Sequence, residues 1–568
     1  MNLVYRSTRR IAGQRQRWLS RLAVGTTSAL TTTLCGLGAE GAAWVSTAPV
    51  PSWSHGRLSC RPLSSSATSL PSTTRTTLEK EMTRHALDII HEAIRAVDPA
   101  QAVRSHFQTD GSLLKIGNDD KEQPLHLDDY EELVLVAFGK ASSAMAATVL
   151  KQLAKDDNEA SLSLPQCSGL VICKDDHGTP EELDLLSQHG IHVQKASHPV
   201  PDERSVRGAA ALMELVKSRA SERTLVVCCI SGGGSALFCQ PSEPLSLKDL
   251  QQVNSILLAS GMGIQEMNVM RKRLEMGKGG RLAAACHPSK LVTLVLSDVL
   301  GDPFDLIASG PTVPDSSTWK DAWQIIQQYK LEDTLPKEVI SMIRDGLEGN
   351  LPDSPSPDHP TFEAAKTVLV GNNALAVEAA ANKAKALGYT PVVLGTQIEG
   401  EAKEIPHVYT AMALHLQQQA ASSIVTCPQF SVTSSSLPVA LIAGGETTVS
   451  MPTDSTGKGG RNQELALSAG LLLEKMDLRN VVLASVGTDG TDGPTDAAGA
   501  VVDATTFCQD LESAREALAT HNAYPFLKRL GQLQNDSDVP PPLIMTGPTG
   551  TNVADICVTL VGSPPATK

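Results

Sequence analysis

From about Glu79 onwards, short runs rich in Val, Ile, Leu and Cys alternate with stretches of helical periodicity, and this restricts the fold more than any other feature of the chain. Leu133 to Phe138, Gly169 to Cys173, His192 to Ala196, Thr224 to Ile230 and Leu291 to Leu296 are bounded by turn residues and read as strands of a parallel sheet. Helices are predicted between them, over Glu203 to Ala220, Ser246 to Ser260 and Ile264 to Glu275. Asn350 to Pro360 then holds four prolines and no regular period, the mark of an exposed linker or loop. A second α/β pattern follows, with strands near Thr367 to Val370, Pro391 to Leu394, Val439 to Ile442, Val481 to Val486 and Ile556 to Val561. At 568 residues the chain is too long for one core, so the expected fold is α/β with two α/β domains and a cleft between them.

The first 78 residues have a different character. They contain nine Arg, no Lys and one acid, Glu40, so this segment carries +8 and leaves -22 on the rest of a chain whose net charge is -14. Arg6, Arg9, Arg10, Arg15, Arg17 and Arg21 among Ser, Thr and Leu are the composition of a mitochondrial transit peptide. A mitochondrial matrix location is expected where this leader is used, and a cytoplasmic one otherwise. The uncharged stretch from Leu22 to Ala39 is too rich in threonine for a membrane span, and no later segment is long and apolar enough. An acidic body without a basic stripe argues against nucleic acid as a partner. Eleven cysteines without a C-x-x-C pair read as reduced core residues, and His91-Glu92 lacks the second His of a zinc-protease helix, since position 95 is Arg.

In doubly wound sheets ligands sit beyond the carboxyl ends of the strands, so the chemistry is sought in the residues after each one. Those residues are Gly139-Lys140-Ala141-Ser142, Ser231-Gly232-Gly233-Gly234-Ser235, Ser297-Asp298 with Gly301-Asp302, Gly444-Gly445-Glu446-Thr447-Thr448, and the acidic loop from Gly487 to Asp496. Any one such loop could be an ordinary glycine turn; five together, carrying Lys, Arg and Asp, point to a site. The pentapeptide Gly-Lys-Gly-Gly-Arg adds to them, at Gly277 to Arg281 and again at Gly457 to Arg461, each copy leading into a helical pattern. Glycine amides, a helix N-terminus and two cations suit a phosphorylated ligand.

Phosphoryl transfer needs cations around the moving oxygens, carboxylates for Mg²⁺ and a base or orienting group for the attacking hydroxyl. Lys140, Lys278, Arg281, Lys458 and Arg461 suit the first role; Asp298, Asp302, Asp489, Asp492, Asp496 and Glu446 suit the others. The three Gly-Lys pairs lack the earlier glycine of a P-loop, and the single G-x-G-x-x-G, Gly36 to Gly41, lies in the leader and follows no strand. The usual fingerprint of an NAD enzyme is therefore missing.

Taken together, these loops resemble the class II glycerate kinases, whose C-terminal part is called MOFRL. The resemblance rests on the loops above together with Ser197-His198-Pro199-Val200-Pro201-Asp202, Ile307 to Asp315, Gly457 to Glu464, Gly487 to Gly499 and Thr546-Gly547-Pro548-Thr549-Gly550-Thr551-Asn552, and spans roughly Glu79 to Gly562. It implies a larger, Rossmann-like N-terminal domain over 79–349, a linker or loop at 350–360, and a smaller C-terminal region over 361–568 whose MOFRL part covers about 438–562. It also implies phosphorylation of D-glycerate by ATP with Mg²⁺ at the interdomain cleft, the 2-position favoured over the 3-position. Lys140 and Arg461 match the leading catalytic candidates. Ser231, Gly232, Gly233, Gly234, Ser235, Lys278, Arg281, Glu446, Lys458 and Asn462 are the candidate substrate or nucleotide residues, and Asp298, Asp489 and Asp492 the candidate Mg²⁺ ligands. An NAD(P)H-dependent hydroxypyruvate reductase is the main alternative and a metabolite sensor the third reading. D-glycerate and ATP are the expected partners, and a homo-oligomer is left open.

Overall fold

The computed structural model describes residues 75–117, 123–155, 158–162, 164, 166–420, 437–452, 456–533 and 538–565; nearly all of the arginine-rich leader, including Gly36 to Gly41, lies outside them. Six strands build the first sheet: β1 (Glu132–Phe138), β2 (Gln166–Lys174), β3 (Ile191–Ala196), β4 (Thr224–Ile230), β5 (Lys290–Leu296) and β6 (Ala365–Gly371). Their order is β6-β5-β4-β1-β2-β3, and every neighbouring pair is parallel. Helices cover both faces of such a sheet, which is why β4 is buried at all seven positions and reads as an unbroken apolar run. Read from the other edge, this is the 3-2-1-4-5-6 order of a doubly wound nucleotide-binding sheet. The winding direction reverses between β1 and β4 and opens a crevice beyond their carboxyl ends.

The second sheet comprises β7 (Thr390–Ile398), β8 (Val439–Gly445), β9 (Val481–Gly487), β10 (Gly499–Asp503), β11 (Leu543–Ile544) and β12 (Asp555–Val561) in the order β7-β8-β12-β9-β10-β11. Only β7 and β8 run parallel, and every other pair is antiparallel, so the second sheet is mixed. The cause is β12: the last strand inserts between β8 and β9 against their direction. The strand read near Thr367 to Val370 also changes place, since β6 follows the proline-rich stretch yet pairs along β5 in the first sheet. The chain crosses between sheets along the Asn373–Ala386 helix, whose N-cap Asn372 accepts from the Leu375 amide. Residues 350–360 are mostly exposed, but Ser354 is buried and Asp353 bonds Arg273, so the loop is pinned at its centre.

One apolar cluster joins the two sheets. Met82, Ile89 and Ile90 of the Thr77–Ala96 helix meet Val377 and Ala380 of the Asn373–Ala386 helix and Val482 and Val558 of the second sheet. Truncating a fully buried side chain such as Ile89 to alanine costs about 2–5 kcal/mol in such a core. A capping box of Thr76 and Glu79 starts the Thr77–Ala96 helix, and the Glu79 carboxylate also accepts two bonds from Arg479, both 2.8 Å. A separate helical lobe, with the Leu247–Ala259, Ile264–Leu274, Trp319–Gln328 and Lys337–Leu347 helices, has its own core around Leu257, Met270, Trp319 and Ile343. Among the described residues no helix is long and apolar enough to cross a membrane, and the described cysteines are free.

Candidate active site

Two loops close the crevice at the first sheet's reversal point. Gly139, just after β1, has φ 126°, and a side chain there would run into Ser231, just after β4. The loops are stitched together: the Lys140 amide donates to Gly232 O at 2.9 Å and the Ala141 amide to Ser231 Oγ at 3.0 Å. His198 lies against Gly233, 2.9 Å from the point where a β-carbon would stand, and Asp298 packs on Gly232. Burial, helped by the charge of Lys140, lowers the His198 imidazole to about 4, so the ring is neutral near pH 7.

The second sheet supplies the facing wall. Gly445 at the end of β8 and Gly487 at the end of β9 both pair with Asp555, the first residue of β12. Because β12 runs the other way, its amino end meets their carboxyl ends. Arg461, first in the Arg461–Lys475 helix, makes two bonds to that carboxylate, from Nε at 2.6 Å and Nη2 at 3.0 Å. Its Nη1 stands 3.1 Å from Glu446. Burial opposes the Arg461 charge, but the Asp555 bonds outweigh it and raise its pKa above the ordinary value. Asn462 steadies the pair, donating to Asp555 at 3.0 Å and accepting from Ser485 Oγ at 2.6 Å.

The two walls meet through two polar links. Lys140 Nζ is 3.8 Å from Asp489 Oδ2, after β9, and Asn552 Nδ2 donates to Asp298 at 3.2 Å. Burial raises the Asp298, Glu446 and Asp555 carboxyls above the usual range. Neighbouring acids add to this: Asp489 acts on Asp298, and Asp555, Asp298 and Asp489 act on Glu446. Counted as ionised, four carboxylates face Lys140 and Arg461. A divalent cation would balance them, and Asp298 and Asp489 are oxygen donors suited to Mg²⁺. Among the described residues no three His, Cys, Asp or Glu side chains converge tightly enough to hold a metal by themselves. Mg²⁺ is compatible with that, because it usually takes one or two carboxylates and completes its shell with phosphate oxygens and water.

The remaining candidates are engaged elsewhere. Lys278, 2% exposed, is paired with Glu275 at 2.6 Å and donates to Ser235 O at 3.0 Å. The Gly279 and Gly280 amides donate to Ser309 O and Gly310 O, at 3.0 and 2.8 Å. Arg281 Nη1 donates to the Lys272 carbonyl near the end of the preceding helix and to the Lys278 carbonyl within the loop. The first Gly-Lys-Gly-Gly-Arg is therefore a lock between loops, with its lysine and glycine amides turned to protein partners away from the crevice. Ser235 Oγ lies 3.3 Å from Ser309 Oγ, which continues that lock. At the second copy the Asn462 and Gln463 amides, 3.1 and 2.9 Å away, hold an internal anion, Asp492. Asp492 is thus a helix cap, with burial raising its pKa to about 6. Lys458 is exposed and lies 5.1 Å from the Tyr524 ring centre, outside the Arg461 cluster. Asp302 accepts from Asn372 and Asp496 from Tyr524, both local contacts. The sequence reading missed Asp555; it also gave no role to His198 or Asn552.

The MOFRL family model matches residues 439–555, and residues 85–344 match a model described as a domain of unknown function, DUF4147. A glycerate 2-kinase of Pyrococcus horikoshii is 35% identical over 482 residues, covering 84% of this chain and 97% of the relative. The crystal structure of the Thermotoga maritima glycerate kinase superposes with a TM-score of 0.67 at 33% identity, covering 85% of this chain and all of that one. The chain belongs to the class II glycerate kinase family. A provisionally named hydroxypyruvate reductase of Agrobacterium vitis is also 37% identical, over 76% of this chain and 99% of that protein. Within the family, Lys140 and Arg461 are the two cations that the fold brings to facing walls of one crevice.

Proposed function

We propose that this chain transfers the γ-phosphoryl group of ATP to D-glycerate, preferring the 2-hydroxyl, as the names of its Pyrococcus and Thermotoga relatives describe for those proteins. The observation that carries the reading is the meeting of Lys140 from the first wall with the Asp489, Arg461 and Asp555 group of the second. Arg461 and Lys140 offset charge on the γ-phosphoryl oxygens and the glycerate carboxylate, where such contacts count most as charge spreads in the transition state. Asp298 accepts the proton of the attacking hydroxyl; the new bond forms from that oxygen to the γ-phosphorus, and the bond to the β-γ bridging oxygen breaks to leave ADP. Asp489 would hold Mg²⁺, which would supply positive charge to the ATP phosphates and leave Asp298 free as the base.

The Rossmann strand order alone would also suit a reductase. Against that reading, the turn after β1 has a single glycine followed by Lys140, and the amides of Lys140 and Ala141 already serve Gly232 and Ser231 instead of a pyrophosphate. The proposed place of action is the mitochondrial matrix where the leader is used and the cytoplasm otherwise. The test supplies the full chain with D-glycerate, ATP and Mg²⁺ and follows the product by phosphorus NMR. Formation of 2-phosphoglycerate and ADP is expected; turnover only with NADH and hydroxypyruvate would overturn the assignment.

A further inference from the structure

A cavity of about 670 Å³ opens between the helical lobe and the first Gly-Lys-Gly-Gly-Arg, and none of the crevice residues lines it. Its polar lining is unusual. Arg281 reaches it with a guanidinium whose bonds all go to backbone carbonyls through Nη1; no carboxylate pairs with it among the described residues. Burial and the neighbouring Arg273 lower the Arg281 pKa to about 10, against the opposing pull of Asp315 and Asp353. Arg273, 1% exposed, is neutralised by Asp315, yet its Nε has no hydrogen-bond partner among the described residues, nor has the buried Oε1 of Gln240. Unpaired buried polar atoms cost stability unless something fills the role of a partner.

The rest of the wall is apolar. Met342 is buried there, Leu351 half-buried, and Met276 presents 43% of its surface, a large exposure for a methionine beside a cavity. The acids that line it, Glu203 and Glu243, are exposed, and neither bonds Arg281. A guanidinium without a carboxylate partner and an apolar wall define a recognition pattern.

We infer that this cavity is a second small-molecule site, separate from the phosphoryl-transfer crevice, for a ligand joining a carboxylate or phosphate to an apolar or aromatic body. The anionic group pairs with Arg281, and the body lies on Met276, Leu351 and Met342. Two sources share this chemistry, a non-nucleotide aromatic or aliphatic acid and the monophosphate end of a nucleotide; the proposal commits to the first, and the experiment separates them.

Phenyl phosphate, with AMP as the nucleotide arm, would be titrated calorimetrically into the full chain and into Ser242→Trp and Leu351→Trp. Both substitutions fill the cavity from its wall and leave the Arg281 bonds in place. Phenyl phosphate is expected to bind the native chain and to lose affinity by about tenfold or more in both variants, while turnover stays within about twofold and thermal unfolding is unchanged. Three results would overturn the inference: no phenyl phosphate binding to the native chain, equal binding by the filled variants, or loss of AMP binding together with turnover on filling, which would make the cavity part of the catalytic nucleotide site. Should one filled variant unfold, the other gives the answer. The readout is binding, so it stands whether or not the chain proves to phosphorylate glycerate.

Discussion

The same five residues, Gly-Lys-Gly-Gly-Arg, do opposite work in the two places they occur. At 277–281 the lysine is 2% exposed and paired with Glu275, the glycine amides meet carbonyls of the 309–310 turn, and the arginine closes off a helix end. At 457–461 the lysine is exposed over Tyr524, and the arginine reaches into the crevice to hold Asp555 and Glu446. The difference lies in what each loop packs against. A turn of left-handed Ala308, Ser309 and Gly310 presents carbonyls to the first copy, and the Asp492 loop presents a carboxylate to the second. A cationic glycine loop joins the crevice only where tertiary structure turns its charged side chains towards it.

The comparison is most exposed to failure at Arg461. Arg461→Ala should lower kcat/KM by about a thousandfold with the fold retained, and Lys140→Ala by about a hundredfold or more, measured by coupled ADP release. Near-native turnover in Arg461→Ala would erase the distinction between the copies.

Lys278→Met should show the converse. It leaves Glu275 buried without its partner, at a cost of about 3–5 kcal/mol in urea unfolding, while the molecules that remain folded keep their turnover within a few-fold. Adding Glu275→Gln should recover most of that stability; a stable but inactive Lys278→Met would return the first copy to the crevice.

The Asp492 cap gives a smaller effect with a pH signature. Its folded pKa of about 6 lies above the unfolded value, so its contribution is fully present below about pH 4 and is lost as pH rises through 6. Asp492→Asn removes that dependence and turns an NH₂ group towards the Gln463 amide, costing about 1 kcal/mol. The stability gap between native and variant should therefore widen from pH 7 to pH 4.5; a pH-independent gap would mean Asp492 is not buried as a cap. Smallest of all, Lys458→Ala removes a cation from the Tyr524 face, worth about 0.5–1 kcal/mol, and should change turnover by less than about threefold. A loss as large as that of Arg461→Ala would bring Lys458 into the crevice.

The strands of the first sheet were legible to within a few residues, because buried β runs announce themselves through local composition: Thr224 to Ile230 is β4 from end to end, whereas β10 and β11 of the second sheet were not read. Pairing was not legible, and it decided what the site reading missed. Searching only the residues that follow strands assumes parallel neighbours, so Asp555, which precedes Ile556, escaped notice; only the reversed direction of β12 brings it beside Gly445 and Gly487. In the same way, nothing local distinguishes Lys278 from Lys458, since the partner of one is a buried Glu275 and that of the other an exposed ring. Lys140 and Arg461 were reached through family motifs, and their meeting across two sheets is a property of the fold.

The Thr77–Ala96 helix lies near the beginning of the chain, yet its apolar face is covered by strands from the far end, with Ile89 and Ile90 in one cluster with Val482 and Val558. During synthesis that face emerges hundreds of residues before its cover. At typical ribosomal speeds it waits on the order of a minute. Throughout that interval the apolar stripe lacks its C-terminal cover, so the last packing of this core waits for the strands at the far end of the chain.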